Sequence, residues 1–140
     1  MKDICLGLDL GSVTLGIAVS DGLGLLAHPL KTLRYPKDEM EFLIEPLSQI
    51  IQEYKVKKLV LGLPKHMNND IGDRALYCLE FKELLVENFG LDVVMIDERL
   101  STLSSLKMFA VQGVKSKQRK AQIDQAAAVE ILQRYLDSIK

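Results

Sequence analysis

The chain has 140 residues, 48% of them hydrophobic and 26% charged, with no Trp. That length supports one domain with a substantial core and excludes two large lobes; the composition is that of an ordinary globular protein. A formal net charge of -1 excludes a globally basic protein, so any nucleic-acid surface must be a local patch.

Residues 3–9 and 13–20 read as two strands, with Ile4, Leu6, Leu8 and Leu10 alternating against Cys5, Gly7 and Asp9. The tight Gly11-Ser12 connection predicts an antiparallel hairpin. A third strand is expected over Leu25–Leu33, placed at an edge or bulge by Pro29. Residues 38–54 carry a helical stripe of Phe42, Leu43, Leu47, Ile50 and Ile51, interrupted by Pro46, where a kink or break is expected. Lys58–Leu63 is continuously apolar after its Lys, as in a buried parallel strand, and the loop PKHMNND follows it. A helix is expected from Ile71 to Asn88, capped by Asn69 or Asp70 and closed by Gly90. Then come a buried strand, Asp92–Ile96, a helix over Ser101–Val111, the basic loop KSKQRK, and a final helix over Ala121–Ser138. A hairpin followed by strands alternating with helices predicts an α/β fold with a mixed sheet. Cys5 and Cys78 match no metal or redox spacing and read as reduced core residues. No apolar run reaches membrane-spanning length and MKDICLGLDL has no secretory architecture, so a cytoplasmic protein with no membrane partner is expected.

Three places along the chain put acids where apolar residues would be expected. Asp9 ends the first strand, Asp97 and Glu98 end the last in IDERLST, and Asp124 lies in the final helix. Ligands of such sheets gather at the carboxyl ends of strands. Ala127, Ala128, Ile131 and Tyr135 share a helical face with Asp124, which turns this acid toward the sheet. Carboxylates meeting at one point repel one another, and a divalent cation removes that conflict. An oxygen-only donor set suits Mg²⁺ or Mn²⁺, and paired ions of this kind serve in-line phosphodiester cleavage. Each acid also has an ordinary role open to it. Asp9 can cap the turn, Asp97 can cap the next helix or pair with Arg99, Glu98 can be solvated, and Asp124 can favour a helix dipole. Between Asp97 and Glu98 the sequence does not choose.

Lys115, Lys117, Arg119 and Lys120 fall within six positions just before the Asp124 helix. They read either as a solvated loop or as a grip on nucleic-acid phosphates; no aromatics are interleaved, so base stacking is not indicated. Arg99 is placed to orient a phosphate or a carboxylate. His66 is a candidate proton shuttle, although a lone loop His is more often simply exposed.

The segments LDLGSVTLGIAVSD, LGLPKHMNNDIGDRA, IDERLST and IDQAAAVEILQRYLD, in this order, resemble the YqgF/RuvX family of the RNase H-like superfamily over nearly the whole chain. The resemblance implies an RNase H-like three-layer domain over residues 1–140, an antiparallel hairpin extended by parallel strands between helices. It implies a nuclease, acting on pre-16S rRNA ends or on Holliday junctions. It also implies a metal-binding catalytic set at Asp9, Glu98 and Asp124, with Asp97 the adjacent candidate. The turn GSVTLG departs from the family pattern by carrying no basic residue after the Gly, and Asn69 stands where Gly is common.

The expected protein is therefore a Mg²⁺- or Mn²⁺-dependent endonuclease of pre-rRNA or branched DNA, working as a monomer or a homodimer. Two rival readings are an idle RNA-binding assembly factor that keeps the fold, and an actin-like nucleotide-binding module. The latter needs two lobes and a second phosphate hairpin, which this chain lacks.

Overall fold

The computed structural model describes residues 3–63, 73–97 and 116–139, with the side chains of residues 73, 74, 97 and 116–124 outside that description. Five strands form one mixed sheet: β1 (Ile4–Leu10), β2 (Thr14–Ser20), β3 (Ala27–Arg34), β4 (Val56–Leu63) and β5 (Asp92–Asp97), in the order β3-β2-β1-β4-β5. Three α-helices accompany them among the described residues: α1 (Ile44–Tyr54), α2 (Asp73–Phe89) and α3 (Ser116–Ser138). The β1–β2 and β2–β3 pairs are antiparallel, whereas β1–β4 and β4–β5 are parallel. Strands β1, β4 and β5 therefore all end at the same side of the sheet.

Strand alternation divides the core in two. Leu6, Leu8, Leu10, Leu15, Ile17, Leu59 and Leu61 face Leu47, Ile50, Phe81 and Leu85 of α1 and α2. Cys5, Ala18, Val60, Val94 and Ile96 face Ala128, Ile131, Leu132, Tyr135 and Leu136 of α3. The result is the expected three-layer α/β arrangement. Ala127, Ala128, Ile131 and Tyr135, the face assigned to the sheet from their spacing, are all buried. The two cysteines are free and buried in different halves of the core, Cys5 under α3 and Cys78 on α2.

Local chemistry sets the element ends. The β1–β2 turn closes through Gly11 N–H donating to the Thr14 carbonyl at 2.7 Å. Pro29 lies on the edge strand, and the β2–β3 register shifts there, passing from Ile17↔Lys31 to Ala18↔Pro29. Both placements expected of it hold together, since an edge or a bulge spares the N–H that proline lacks. The strand starts at Ala27, later than expected, because Asp21 ties residues 21–26 into a loop. Its Oδ1 accepts from Leu25 N–H at 2.9 Å, and its own N–H donates to the Leu26 carbonyl at 3.0 Å. The break expected at Pro46 falls just before it: a 3-10 turn over Met40–Leu43 gives way to α1, which holds Pro46 in its first turn. There the missing N–H has no helical partner to lose. Gly90 closes α2 at φ +63°, its N–H donating to the Val86 carbonyl.

One expectation needs correction. Residues 116–120 are not a loop: α3 begins at Ser116, so Lys117, Arg119 and Lys120 belong to its first turns. Lys, Arg and Gln are good helix formers, but without apolar residues they show no periodicity to read. Asp124 is consequently more than two turns inside the helix, too far from its start to serve the dipole. The expected helix over Ser101–Val111 and the caps Asn69 and Asp70 lie outside the described residues.

Candidate active site

Asp9 is half-buried on β1, between Leu8 and Leu10, which are inserted into the α1–α2 core at 0% and 2% exposure. Alternation therefore sets Asp9 on the α3 side of the sheet, in one row with Gly7. Its partner on β2 is Gly16, and the partner of Gly16 on β3 is Thr32. Gly16, itself buried, puts no side chain opposite Asp9.

Helix α3 runs antiparallel to β1 across this face. Tyr135, near its end, receives a hydrogen bond from Lys58 Nζ at 2.9 Å, and Lys58 is paired with Cys5 at the start of β1. That bond holds the Lys58 ammonium above its usual pKa. Farther along, Ala128 and Leu132 lie over Gly7 so closely that a Cβ there would meet the Ala128 carbonyl oxygen and Leu132 Cβ, each at 2.6 Å. Gln125 Nε2 then donates to Thr32 Oγ1 at 3.4 Å. Thr32, Gly16 and Asp9 form one rung of the sheet, so α3 crosses the level of Asp9 at Gln125. Helical rise gives the same answer. Four residues back from Ala128 is a step of about 6 Å, and Asp9 is about 7 Å beyond Gly7 along its strand. The backbone of Asp124 is thus brought to the end of the sheet that holds Asp9. The backbone of Asp97 reaches the same end, paired with Leu63 at the close of β4.

A tyrosine pair holds the turn beside Asp9. Tyr35 O–H donates to the Gly11 carbonyl, and the Tyr35 and Tyr77 hydroxyl oxygens are 2.9 Å apart. With its one proton committed to Gly11, Tyr35 accepts from Tyr77. Burial, followed by this hydrogen bond, pushes the Tyr35 hydroxyl well above its ordinary pKa. Tyr35 N–H also donates to the Val13 carbonyl at 3.0 Å, extending the ladder past the turn. Sequence reasoning passed over Tyr35, Tyr77, Thr32 and Gln125. Only the position of Gln125 next to Asp124 hinted at its place.

Of the expected acidic set, Asp9 has its side chain described and Asp97 and Asp124 their backbones, while Glu98 lies outside the described residues. Lys117, Arg119 and Lys120 are placed by backbone on α3; Lys115, Arg99 and His66 lie outside the description. Among the described residues no three His, Cys, Asp or Glu side chains form a cluster. The expected donor set, Asp9 with Glu98 and Asp124, is oxygen-only and anionic, the chemistry that hard divalent cations take. No described helix is long and apolar enough to cross a membrane.

Comparison with known proteins bears on the family and the fold. A Lactococcus lactis subsp. lactis protein named "Putative pre-16S rRNA nuclease" is 47% identical over 133 residues, covering 95% of this chain and 93% of its own length. A Bacillus thuringiensis protein of the same name is 45% identical over 133 residues, covering 95% and 97%. Among solved structures, T. thermophilus RuvC in complex with a Holliday junction substrate superposes with a TM-score of 0.60 at 14% identity, over 99% of this chain and 96% of that one; this likeness is one of fold. The sequence model of the RuvX family, described as Holliday junction resolvase, matches residues 3–138, and this chain belongs to that family.

Proposed function

We propose that this protein is a divalent-metal-dependent endonuclease that processes the ends of pre-16S rRNA in the cytoplasm. That it is a nuclease of nucleic acid follows from its family and its relatives. The observation that carries the site is the rung Asp9–Gly16–Thr32 crossed by α3 at Gln125, which brings Asp124 to the carboxyl end of β1. The choice of rRNA rests on the names of the relatives at 45–47% identity. The match over residues 3–138 supports reading residues 1–140 as one RNase H-like nuclease domain.

In this reading Asp9, Glu98 and Asp124 hold Mg²⁺ or Mn²⁺. Glu98 is taken here as the ligand because the family resemblance assigns it, with Asp97 the adjacent candidate. When bound, the cation supplies Lewis-acid stabilisation of the charge that develops at phosphorus and lowers the pKa of the attacking water. The chain's own part is to hold three carboxylates from β1, the end of β5 and α3 in one place. Lys117, Arg119 and Lys120, together with Lys115 and Arg99, hold the substrate's phosphates. Trimming one RNA end requires no second copy, so a monomer suffices.

The family description favours a second substrate, the Holliday junction. The test places purified protein, with Mg²⁺ or Mn²⁺, on an RNA spanning the 5′ end of pre-16S rRNA and on a four-way DNA junction. Cleavage of the RNA and its loss in Asp9→Asn are expected. Cleavage of the junction alone would replace the substrate assignment, and cleavage of neither would favour an idle assembly factor.

A further inference from the structure

The turn that brings β1 into β2, Gly11-Ser12-Val13-Thr14, carries no cation, although it borders Asp9. Among the described strands, the nearest positive charge on that face comes from β3. Arg34, the last residue of β3, pairs directly with Thr14. Directly opposed residues of an antiparallel pair project to the same face. Leu33 and Tyr35 on either side are packed into the α1–α2 core, which holds Arg34 to the α3 face, the face of Asp9. Arg34 is exposed, and its guanidinium has no partner among the described residues. Its backbone is fixed, because Tyr35 is tied to Val13 and Gly11. Among the described strands it is the cation on that face at that end, since Lys31 pairs with Ile17 of the opposite face and Lys58 lies at the other end of β1.

Two strand spacings separate Arg34 from Asp9, about 10 Å across the sheet, with about 7 Å more along it. An extended arginine there reaches a phosphate within a few nucleotides of the cleaved bond. The first turns of α3 run past the same edge, since Gln125 already stands over Thr32 and the helix continues to Ser116.

We infer that Arg34 is a substrate-binding residue: it grips a backbone phosphate of the nucleic-acid strand as it leaves the Asp9 site across the β1–β2 turn toward the β3 edge. This inference rests on the nuclease reading above.

The test is equilibrium binding of a fluorescein-labelled, 12-nucleotide single-stranded RNA across a salt series. All variants carry Asp9→Asn so that the probe survives. Losing one phosphate contact on a single strand lowers the slope of log K against log salt by about 0.7, which is about fivefold weaker binding at 0.1 M salt. Arg34→Ala is expected to show both changes, and Arg34→Lys to keep the slope. Lys31→Ala, which removes an exposed charge from the same strand but the other face, is expected to bind as its parent does. Circular dichroism confirms that each variant folds, with Arg34→Gln replacing Arg34→Ala if the latter does not. Unchanged slope and affinity in Arg34→Ala would overturn the role of Arg34 and leave the nuclease reading standing. An equal loss in Lys31→Ala would reduce the effect to net charge and overturn it as well. If the parent did not bind this RNA at all, the role of Arg34 would be overturned, and the cleavage assay above would decide the nuclease reading on its own.

Discussion

Gly7→Ala tests the central claim that α3 is held against β1 at the level that lets Asp124 approach Asp9. The added methyl meets the Ala128 carbonyl oxygen and Leu132 Cβ at 2.6 Å, where ordinary contact begins at 3.4 Å. One obstacle is backbone and the other is fixed to it, so neither can rotate away and the helix must retreat by the order of 1 Å. Overpacking of this kind costs about 3 kcal/mol at its upper end. Alanine in a strand recovers about 0.7 kcal/mol relative to glycine, leaving a net loss of about 2 kcal/mol. For a chain of this size the melting temperature should fall by about 4–8 °C. The same retreat moves Asp124 away from Asp9, and a misplacement of about 1 Å lowers kcat by up to about 100-fold. Thermal unfolding by circular dichroism and cleavage well below the melting temperature read the two effects separately. Gly90→Ala is the control. It forces alanine to φ +63° with nothing within 4 Å of its Cβ, so it should lower stability by about 1 kcal/mol and leave kcat alone. A Gly7→Ala protein that melts and cleaves like the wild type would refute the close approach of helix and strand.

Asp9→Asn should abolish cleavage and leave the chain folded, because it keeps the side chain's shape; residual cleavage within tenfold of wild type would displace Asp9 from the site. Chelation with EDTA should stop cleavage, and added Mg²⁺ or Mn²⁺ should restore it; cleavage that survives chelation would remove the cation from the mechanism. Tyr35→Phe should cost about 1–2 kcal/mol by stranding the Gly11 carbonyl, seen as an earlier urea midpoint with unchanged m. Since the folded state raises the Tyr35 pKa, its contribution is full below pH 10 and lost above it, so the alkaline fall of stability should be shallower in Tyr35→Phe. Asp21 is shifted the other way, held below its ordinary pKa first by the Leu25 N–H. Its contribution is present above about pH 4 and fades as pH falls further. Asp21→Asn should therefore weaken the acid limb of a melting-temperature profile, and an identical limb would argue against the loop bond.

The backbone framework of the candidate site was legible in part because acids interrupt apolar periodicity. Asp9 stands out between Leu8 and Leu10, and Asp124 shares a face with Ala127, Ala128 and Ile131, so their placement at one end of the sheet could be reasoned from period and topology. The start of α3 could not, because Ser116–Lys120 offers helix-forming side chains and no apolar stripe. The role of Gln125 was also hidden. Its partner Thr32 is 93 residues away in sequence, and a polar pair at that distance leaves no periodic trace. Tyr35 and Tyr77 present the same difficulty: each reads as an ordinary aromatic until the β1–β2 turn and α2 are set side by side.

The packing of α3 on β1, β2 and β3 also bears on when the proposed site can form. The helix is the last described element and the strands are the first three, so roughly the whole chain forms the loop that this contact closes. Closing so long a loop is entropically late, and such long-range pairings fold slowly. A chain still being synthesised carries Asp9 on its strand well before the helix bearing Asp124 has emerged. If Asp9 and Asp124 hold the cation together as proposed, the nascent protein would stay inert toward RNA close at hand until its first strands and this helix have met.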